Sequence, residues 1–151
     1  MLEIRNYVEG DYEKYVQSIT RENMRQLFLE NFGGWSDETS KKRFFKAVSD
    51  GYVKLFFLDG LFVGYVTFNV EKNDASSYLI NDIHIAKVFQ RKGYGTDILN
   101  FVISKCLELG AKQLKIFVFK ANPAIYFYVK HGFKEIEYLE RSKTCVMVKV
   151  L

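Results

Sequence analysis

One heptapeptide in this sequence is suited to meet an anion. Gln90-Arg91-Lys92-Gly93-Tyr94-Gly95-Thr96 combines two basic side chains with two glycines. Glycine lets the backbone approach a ligand closely. Where a helix begins, its first N–H groups lack partners and lie at the positive end of the helix dipole. Both features suit a phosphate or pyrophosphate. Lys87 adds a further cation, and no acid lies between Ala86 and Asp97. The Gly-x-Gly triplet alone is no signal in a chain with 10 glycines, because glycines also make turns. The dinucleotide fingerprint fails, since Ile98 stands where its third glycine belongs, and no Gly-Lys-Ser/Thr follows to make a P-loop.

A second chemical group precedes this loop. Residues 78–85 read as a strand. Alternation puts Asp82 and His84 on one face and Asn81, Ile83 and Ile85 on the other. A carboxylate and an imidazole side by side can do acid–base work. They also have plainer readings, Asp82 as a hydrogen-bonding acid at a strand bulge and His84 as a satisfied surface histidine. The side chains of Ile83 and Ile85 read as core.

The elements that must hold these groups follow from pattern. Residues 2–5 alternate like a first strand. Asp11 is placed to cap a helix running to about residue 19, and residues 23–32 and 36–48 read as further helical pieces split by Gly33-Gly34. Residues 53–58 and 62–70 are rich in aromatic and β-branched side chains and flank Asp59-Gly60, a strong hairpin signal. After the loop, Ile98, Leu99, Val102, Ile103, Cys106 and Leu107 fall at helical spacing, and Gly110 ends the run. Residues 114–119 read as a strand. Asn122 caps a short helix with Pro123 at its first position, Gly132 ends it, and residues 133–138 and 145–150 read as closing strands. Lys41-Lys42-Arg43 reads as a solvated helix face.

Composition excludes several classes. With 151 residues, 48% hydrophobic and 26% charged, the chain is sized for one globular domain, 1–151. Roughly two-thirds of the unfolded surface can be buried at this length, without a disulfide or metal staple. Aromatics reach 17%, enough for a large core and an aromatic pocket. A net charge of +4 is too mild to argue for nucleic acid. The most apolar stretch, 53–68, is interrupted by Lys54 and Asp59-Gly60, so no membrane span is expected. Two well-separated cysteines and the absence of a charged-then-apolar start fit a reduced, cytoplasmic setting, and two histidines with that cysteine usage make no zinc site.

Gln90-x-x-Gly93-x-Gly95 resembles the acetyl-CoA signature of the GNAT N-acetyltransferase superfamily. Ile83-His84-Ile85, ending five residues before Gln90, is similar to that family's fourth strand. Asn122-Pro123-Ala124-Ile125-Tyr126-Phe127-Tyr128-Val129-Lys130-His131-Gly132-Phe133 resembles its downstream motif, at the usual separation. One departure stands out. The family commonly has an asparagine two residues before this proline, where this chain has Ala121, and Asn122 sits one later. Asn122 thus has two open roles, capping the helix or reaching the coenzyme.

The resemblance implies an α/β (α+β) fold with a mixed central sheet of six to seven strands flanked by about four helices. It implies acetyl transfer from acetyl-CoA to a primary amine by direct attack, with no metal. The pantetheine arm would fill a gap between splayed fourth and fifth strands. The coenzyme site it implies comprises Ile83, His84 and Ile85 through their backbone, then Gln90, Arg91, Lys92, Gly93, Tyr94, Gly95, Thr96, Asn122 and Tyr128. Tyr128 matches the tyrosine that serves the departing thiolate. Attack needs a neutral amine, and removing a proton of pKa about 10.4 at neutral pH costs about 4.6 kcal/mol. Asp82 is the first candidate to help, with His84 second. Asn81, Asp82, Phe28 and Trp35 are candidates for the acceptor site, with Phe32 beside them. A small-molecule amine is the favoured acceptor. Peptide or protein amines, and a non-catalytic CoA-binding module, are the alternatives. The chain is expected as a monomer or homodimer, with no nucleic-acid or membrane partner.

Overall fold

The computed structural model describes residues 1–151. A short strand β1 (Glu3–Asn6) leads into a π-helical turn (Tyr12–Val16) that runs without a break into helix α1 (Gln17–Phe32). The two expected helical pieces are therefore one, since residues 20–22 contain no breaker. Asp11 caps nothing. Its carboxylate grips Arg5 through two bonds of 2.8 and 2.9 Å and accepts the Val8 N–H at 2.8 Å. Gly33 closes α1 in the left-handed region at φ 83°. Helix α2 (Asp37–Asp50) starts on Ser36, whose hydroxyl accepts the Thr39 N–H at 3.1 Å.

Strands β2 (Tyr52–Leu58) and β3 (Leu61–Glu71) form the expected hairpin, with Asp59 at φ 49° and Gly60 at φ 81°. Two positive values in succession make the mirror-image turn that matches strand twist. The remaining elements are β4 (Asp74–Ile85), α3 (Tyr94–Glu108), β5 (Gln113–Phe119), α4 (Ala124–Lys130), β6 (Lys134–Leu139) and β7 (Thr144–Val150).

The seven strands make one sheet in the order β1-β2-β3-β4-β5-β7-β6. Every neighbouring pair is antiparallel except β4 and β5, whose parallel connection needs a crossover that α3 supplies. That parallel pairing covers only Ser77–Ile80 against Gln113–Ile116. Beyond it the two strands part.

Each face of the sheet carries its own core. On one, Ile98, Leu99, Val102 and Cys106 of α3 pack on Phe56, Phe68, Leu114 and Met147. On the other, Tyr12, Val16, Ile19 and Phe44 pack on Leu55, Phe57 and Tyr65. Both cysteines are buried and unpaired. No helix is long and apolar enough to cross a membrane.

A bulge in β4 decides where its polar residues go. Thr67 pairs with Asp82, but Phe68 pairs with Ile80, so Asn81 is an extra residue. Strict alternation from Tyr78 and Ile80, both in the α3 core, would send Asp82 and His84 into that core. The inserted residue reverses the phase. Ile83 and Ile85 keep the core face, while Asp82 and His84 turn towards α1 and α2.

Candidate active site

Where β4 leaves β5, a cleft of about 710 Å³ opens between β4, α4 and the start of α3. A β-carbon built on Gly64 of β3 would lie 2.2 Å from the His84 carbonyl oxygen, so that carbonyl faces β3. Alternation then aims the amides of Ile83 and Ile85 into the gap. His84 differs from the expectation here. Its backbone carbonyl is directed at β3, although the residue borders the cleft.

The Ile85 carbonyl in the gap is already held. It accepts Asn23 Nδ2 at 3.0 Å and Gln90 Nε2 at 2.9 Å. Gln90 also donates to Asn23 Oδ1 at 3.2 Å, so it ties the loop to β4 and α1. Arg91 and Gly93 adopt positive φ values, 63° and 89°, and line the cleft. The first helical bond of α3 runs from Asp97 N–H to Gly93 at 3.2 Å, which leaves the N–H groups of Tyr94, Gly95 and Thr96 without helical partners. The Thr96 hydroxyl meets His131 Nε2 at 3.1 Å, while His131 Nδ1 donates to the Phe127 carbonyl at 2.8 Å. Lys92 is exposed and lies outside the cleft lining, and the Tyr94 ring packs on Phe89.

A pyrophosphate fits this turn by the following test. Gly93 needs glycine for its backbone conformation alone. Gly95 does not: it is helical, and a β-carbon there would meet only the Phe127 ring, at an ordinary 3.5 Å. Its bare backbone opens space on the cleft side, beside unpaired amides. No group of three or more His, Cys, Asp or Glu is placed to hold a metal.

Tyr128, on α4, closes the floor of the cleft between the Phe127 and Phe133 rings. Its hydroxyl has no hydrogen-bond partner in the protein, yet the only sealed and unpaired side-chain polar atom in the chain is Thr67 Oγ1. The phenol therefore opens onto the cleft. Burial, with a contribution from the charge on Asp82, pushes its pKa well above 10. Asn122 Oδ1 accepts the Ala124 N–H at 2.9 Å, the capping geometry, and the residue also borders the cleft.

A second cavity of about 270 Å³ lies beyond β4, under α1 and α2. Phe28 and Trp35 both wall it, edge to face at 5.1 Å, with Phe32, Phe44, Tyr65 and Met24. Asp82 reaches it, but Asn81 does not; the Asn81 side chain donates to Asn69 Oδ1 at 2.6 Å. Arg43 leaves the solvated face expected of its run. It donates to the Asn81 carbonyl at 3.0 Å and stands 3.6 Å from Asp82 Oδ1. Burial pushes the Asp82 carboxyl up, but the Arg43 charge and the neighbouring His84 ring outweigh it, and the net effect is below the usual carboxylate range.

The His84 tautomer follows from its neighbours. Asn23 Nδ2, fixed as the nitrogen by its bond to the Ile85 carbonyl, donates to His84 Nδ1 at 3.3 Å. The ring proton thus sits on Nε2, which faces Asp82 Oδ1 at 3.6 Å. The Tyr65 ring lies 5.5 Å from His84, and its hydroxyl shares a 2.6 Å bond with Thr20. The cleft and the second cavity share two lining residues, Met24 and His84.

The family model for the acetyltransferase (GNAT) family matches residues 21–133, which span the cleft, its loop and most of the second cavity's lining. The chain belongs to the GNAT acetyltransferase family. Solved structures share its fold. The PaiA N-acetyltransferase of Thermoplasma acidophilum, in complex with coenzyme A, superposes with a TM-score of 0.80 at 19% identity, covering 100% of this chain and 99% of that one. A GNAT acetyltransferase from Elizabethkingia anophelis with acetyl-CoA bound gives 0.73 at 18%, covering 99% and 98%. The ribosomal-protein-S18-alanine N-acetyltransferase of Escherichia coli gives 0.71 at 18%, covering 99% and 94%. The last acts on a protein, so this GNAT fold does not by itself specify the acceptor.

Four residues of the site escaped the sequence reading: Asn23, Met24, Arg43 and Tyr65. Asn23 is a polar residue in mid-helix, and that is its only local signal. Arg43 was visible only as part of a basic run.

Proposed function

We propose that this GNAT acetyltransferase moves an acetyl group from acetyl-CoA to the primary amine of a small molecule by direct attack, in the cytoplasm. One observation carries the reading: two cavities on opposite sides of β4 meet at His84 and Met24, with Asp82 in one and Tyr128 in the other.

The amides of residues 94–96 and Arg91 would hold the diphosphate, and the gap-facing backbone of Ile83 and Ile85 would take the pantetheine arm. Acetyl-CoA, when bound, supplies an acyl carbon activated as a thioester. An amide N–H on β4 aimed at the thioester oxygen stabilises developing charge, an effect worth about 3 kcal/mol per donor. Asp82 holds the ammonium of the acceptor. Its lowered pKa makes it a good counter-ion and a poor proton acceptor, so the ammonium proton leaves through water at the mouth of the cavity. The new N–C bond forms as the C–S bond breaks. Of the two protons the nitrogen gives up, one ends on the sulfur and one in solvent. The Tyr128 hydroxyl, too weak an acid to hand over its proton, donates a hydrogen bond to the departing sulfur.

The test is calorimetry with acetyl-CoA, followed by a thiol-release assay over amines, amino acids and peptides. Binding of acetyl-CoA, with thiol release that depends on an amine, is the expected result. A folded chain that binds neither acetyl-CoA nor CoA overturns it.

A further inference from the structure

The walls of the second cavity define its guest more narrowly than "an amine". The volume of about 270 Å³ holds about nine waters, so it admits a small molecule or one side chain. Met24, Phe28, Phe32, Trp35 and Phe44 make it largely apolar. Its only two full charges, Asp82 and Arg43, are of opposite sign. A polyamine needs several anions spaced along a channel, and this cavity offers one, already faced by a cation.

The Arg43–Asp82 separation is informative in itself. At 3.6 Å it is an ion pair without a hydrogen bond, and the guanidinium makes one protein bond, to the Asn81 carbonyl. A guanidinium has five N–H donors in a planar fork suited to a carboxylate. Asp82 likewise keeps acceptor capacity, because its contact with His84 is also long, at 3.6 Å. An anion and a cation side by side, neither satisfied by the other, complement a ligand whose own charges are adjacent and reversed. An α-amino acid is such a zwitterion.

Resting on the acetyltransferase reading above, we propose that the acceptor is a free α-amino acid with a large apolar or aromatic side chain. Its ammonium lies on Asp82, its carboxylate on Arg43, and its side chain among Phe28, Trp35 and Phe44. The chemistry is the one already balanced: the α-nitrogen gains the acetyl group, CoA leaves as the thiol, and one proton goes to solvent. Arg43 is then the residue that sets specificity. It separates an amino acid from its decarboxylated amine, and from a peptide whose first carboxyl is an amide.

The experiment compares L-phenylalanine, L-tryptophan, 2-phenylethylamine, spermidine and the peptide Phe-Gly-Gly as acceptors for the unaltered protein, with acetyl-CoA binding measured in parallel. L-phenylalanine or L-tryptophan is expected to exceed 2-phenylethylamine in kcat/KM by about tenfold or more. In Arg43→Gln that ratio is expected to collapse towards unity. Arg43 is half exposed, so the variant retains its fold. Preference for 2-phenylethylamine, spermidine or the peptide, with acetyl-CoA bound normally, overturns the amino-acid assignment and leaves the acetyltransferase reading standing. An unchanged ratio in Arg43→Gln overturns the role of Arg43. A chain that binds no acetyl-CoA and acetylates nothing overturns both.

Discussion

Gly64 and His84 are pressed together across β3 and β4, so that a single added methyl at Gly64 would lie 2.2 Å from the His84 carbonyl oxygen. The neighbour is backbone, which has no rotamer to yield. Gly64→Ala is therefore expected to destabilise the protein by about 3 kcal/mol. It should also push β4 outward where Ile83 and Ile85 aim their amides into the cleft. Urea denaturation and acetyl-CoA calorimetry on the variant check both effects. Unaltered stability would show that β3 and β4 can separate cheaply.

Tyr128→Phe removes a hydroxyl that bonds nothing in the protein. Stability should change by about 1 kcal/mol or less, because no hydrogen bond within the protein is lost. Acetyl-CoA affinity should hold, while kcat falls about 100-fold, the lower range for losing one hydrogen-bond donor to developing charge. A stopped thiol-release assay under saturating acceptor reads this directly. Full turnover in the variant would remove Tyr128 from the chemistry.

The two glycines of the turn should fail differently. Gly93→Ala forces a side chain into the left-handed region and is expected to cost about 1 kcal/mol of stability. Gly95→Ala meets only an ordinary contact with Phe127, and Ala favours helix over Gly by up to about 1 kcal/mol. That variant should melt at or above the parent temperature and still lose coenzyme affinity by about tenfold or more, as one blocked amide contact to a charged group predicts. Thermal melts paired with calorimetry distinguish the two. Equal affinity in Gly95→Ala would mean the diphosphate lies elsewhere.

Acid should weaken the protein through Asp11, whose carboxylate ties β1 to the start of the first helix. The Arg5 hydrogen bonds lead in lowering the Asp11 pKa, so its stabilisation is complete above the unfolded value of about 3.9. It is lost as pH falls through the lower folded value. Asp82 carries the same sign. Asp11→Asn is expected to cost about 2 kcal/mol at pH 7, because the charge-assisted bonds from Arg5 and the Val8 N–H lose their anionic acceptor. The gap between variant and parent should close below about pH 4. Urea midpoints across pH 7 to 2.5 measure it, and a gap no narrower at pH 2.5 than at pH 7 would exclude the charge as its cause.

What the sequence made legible was local. The Asp59-Gly60 turn needs only its own two residues, and the loop at residues 90–96 needs only its glycines, its basic residues and the helix that follows. Asn122 could be placed as a cap because its partner is two residues away. What stayed hidden depends on distance along the chain. Asn23 meets Ile85 across 62 positions, and Arg43 meets Asn81 across 38. Asp11 has the side chain of a cap, but the guanidinium of Arg5 competes for it and wins. Asn81 is the subtlest case. A period-two pattern carries no mark of an extra residue, so the phase change that delivers Asp82 and His84 to their cavity can be read only from the pairing with β3.

The meeting of the two cavities at Met24 and His84 has a kinetic consequence. Neither guest has to vacate for the other, so donor and acceptor can be in residence together. Double-reciprocal plots at several fixed acceptor concentrations should intersect, and no acetylated form of the enzyme should build up on the way.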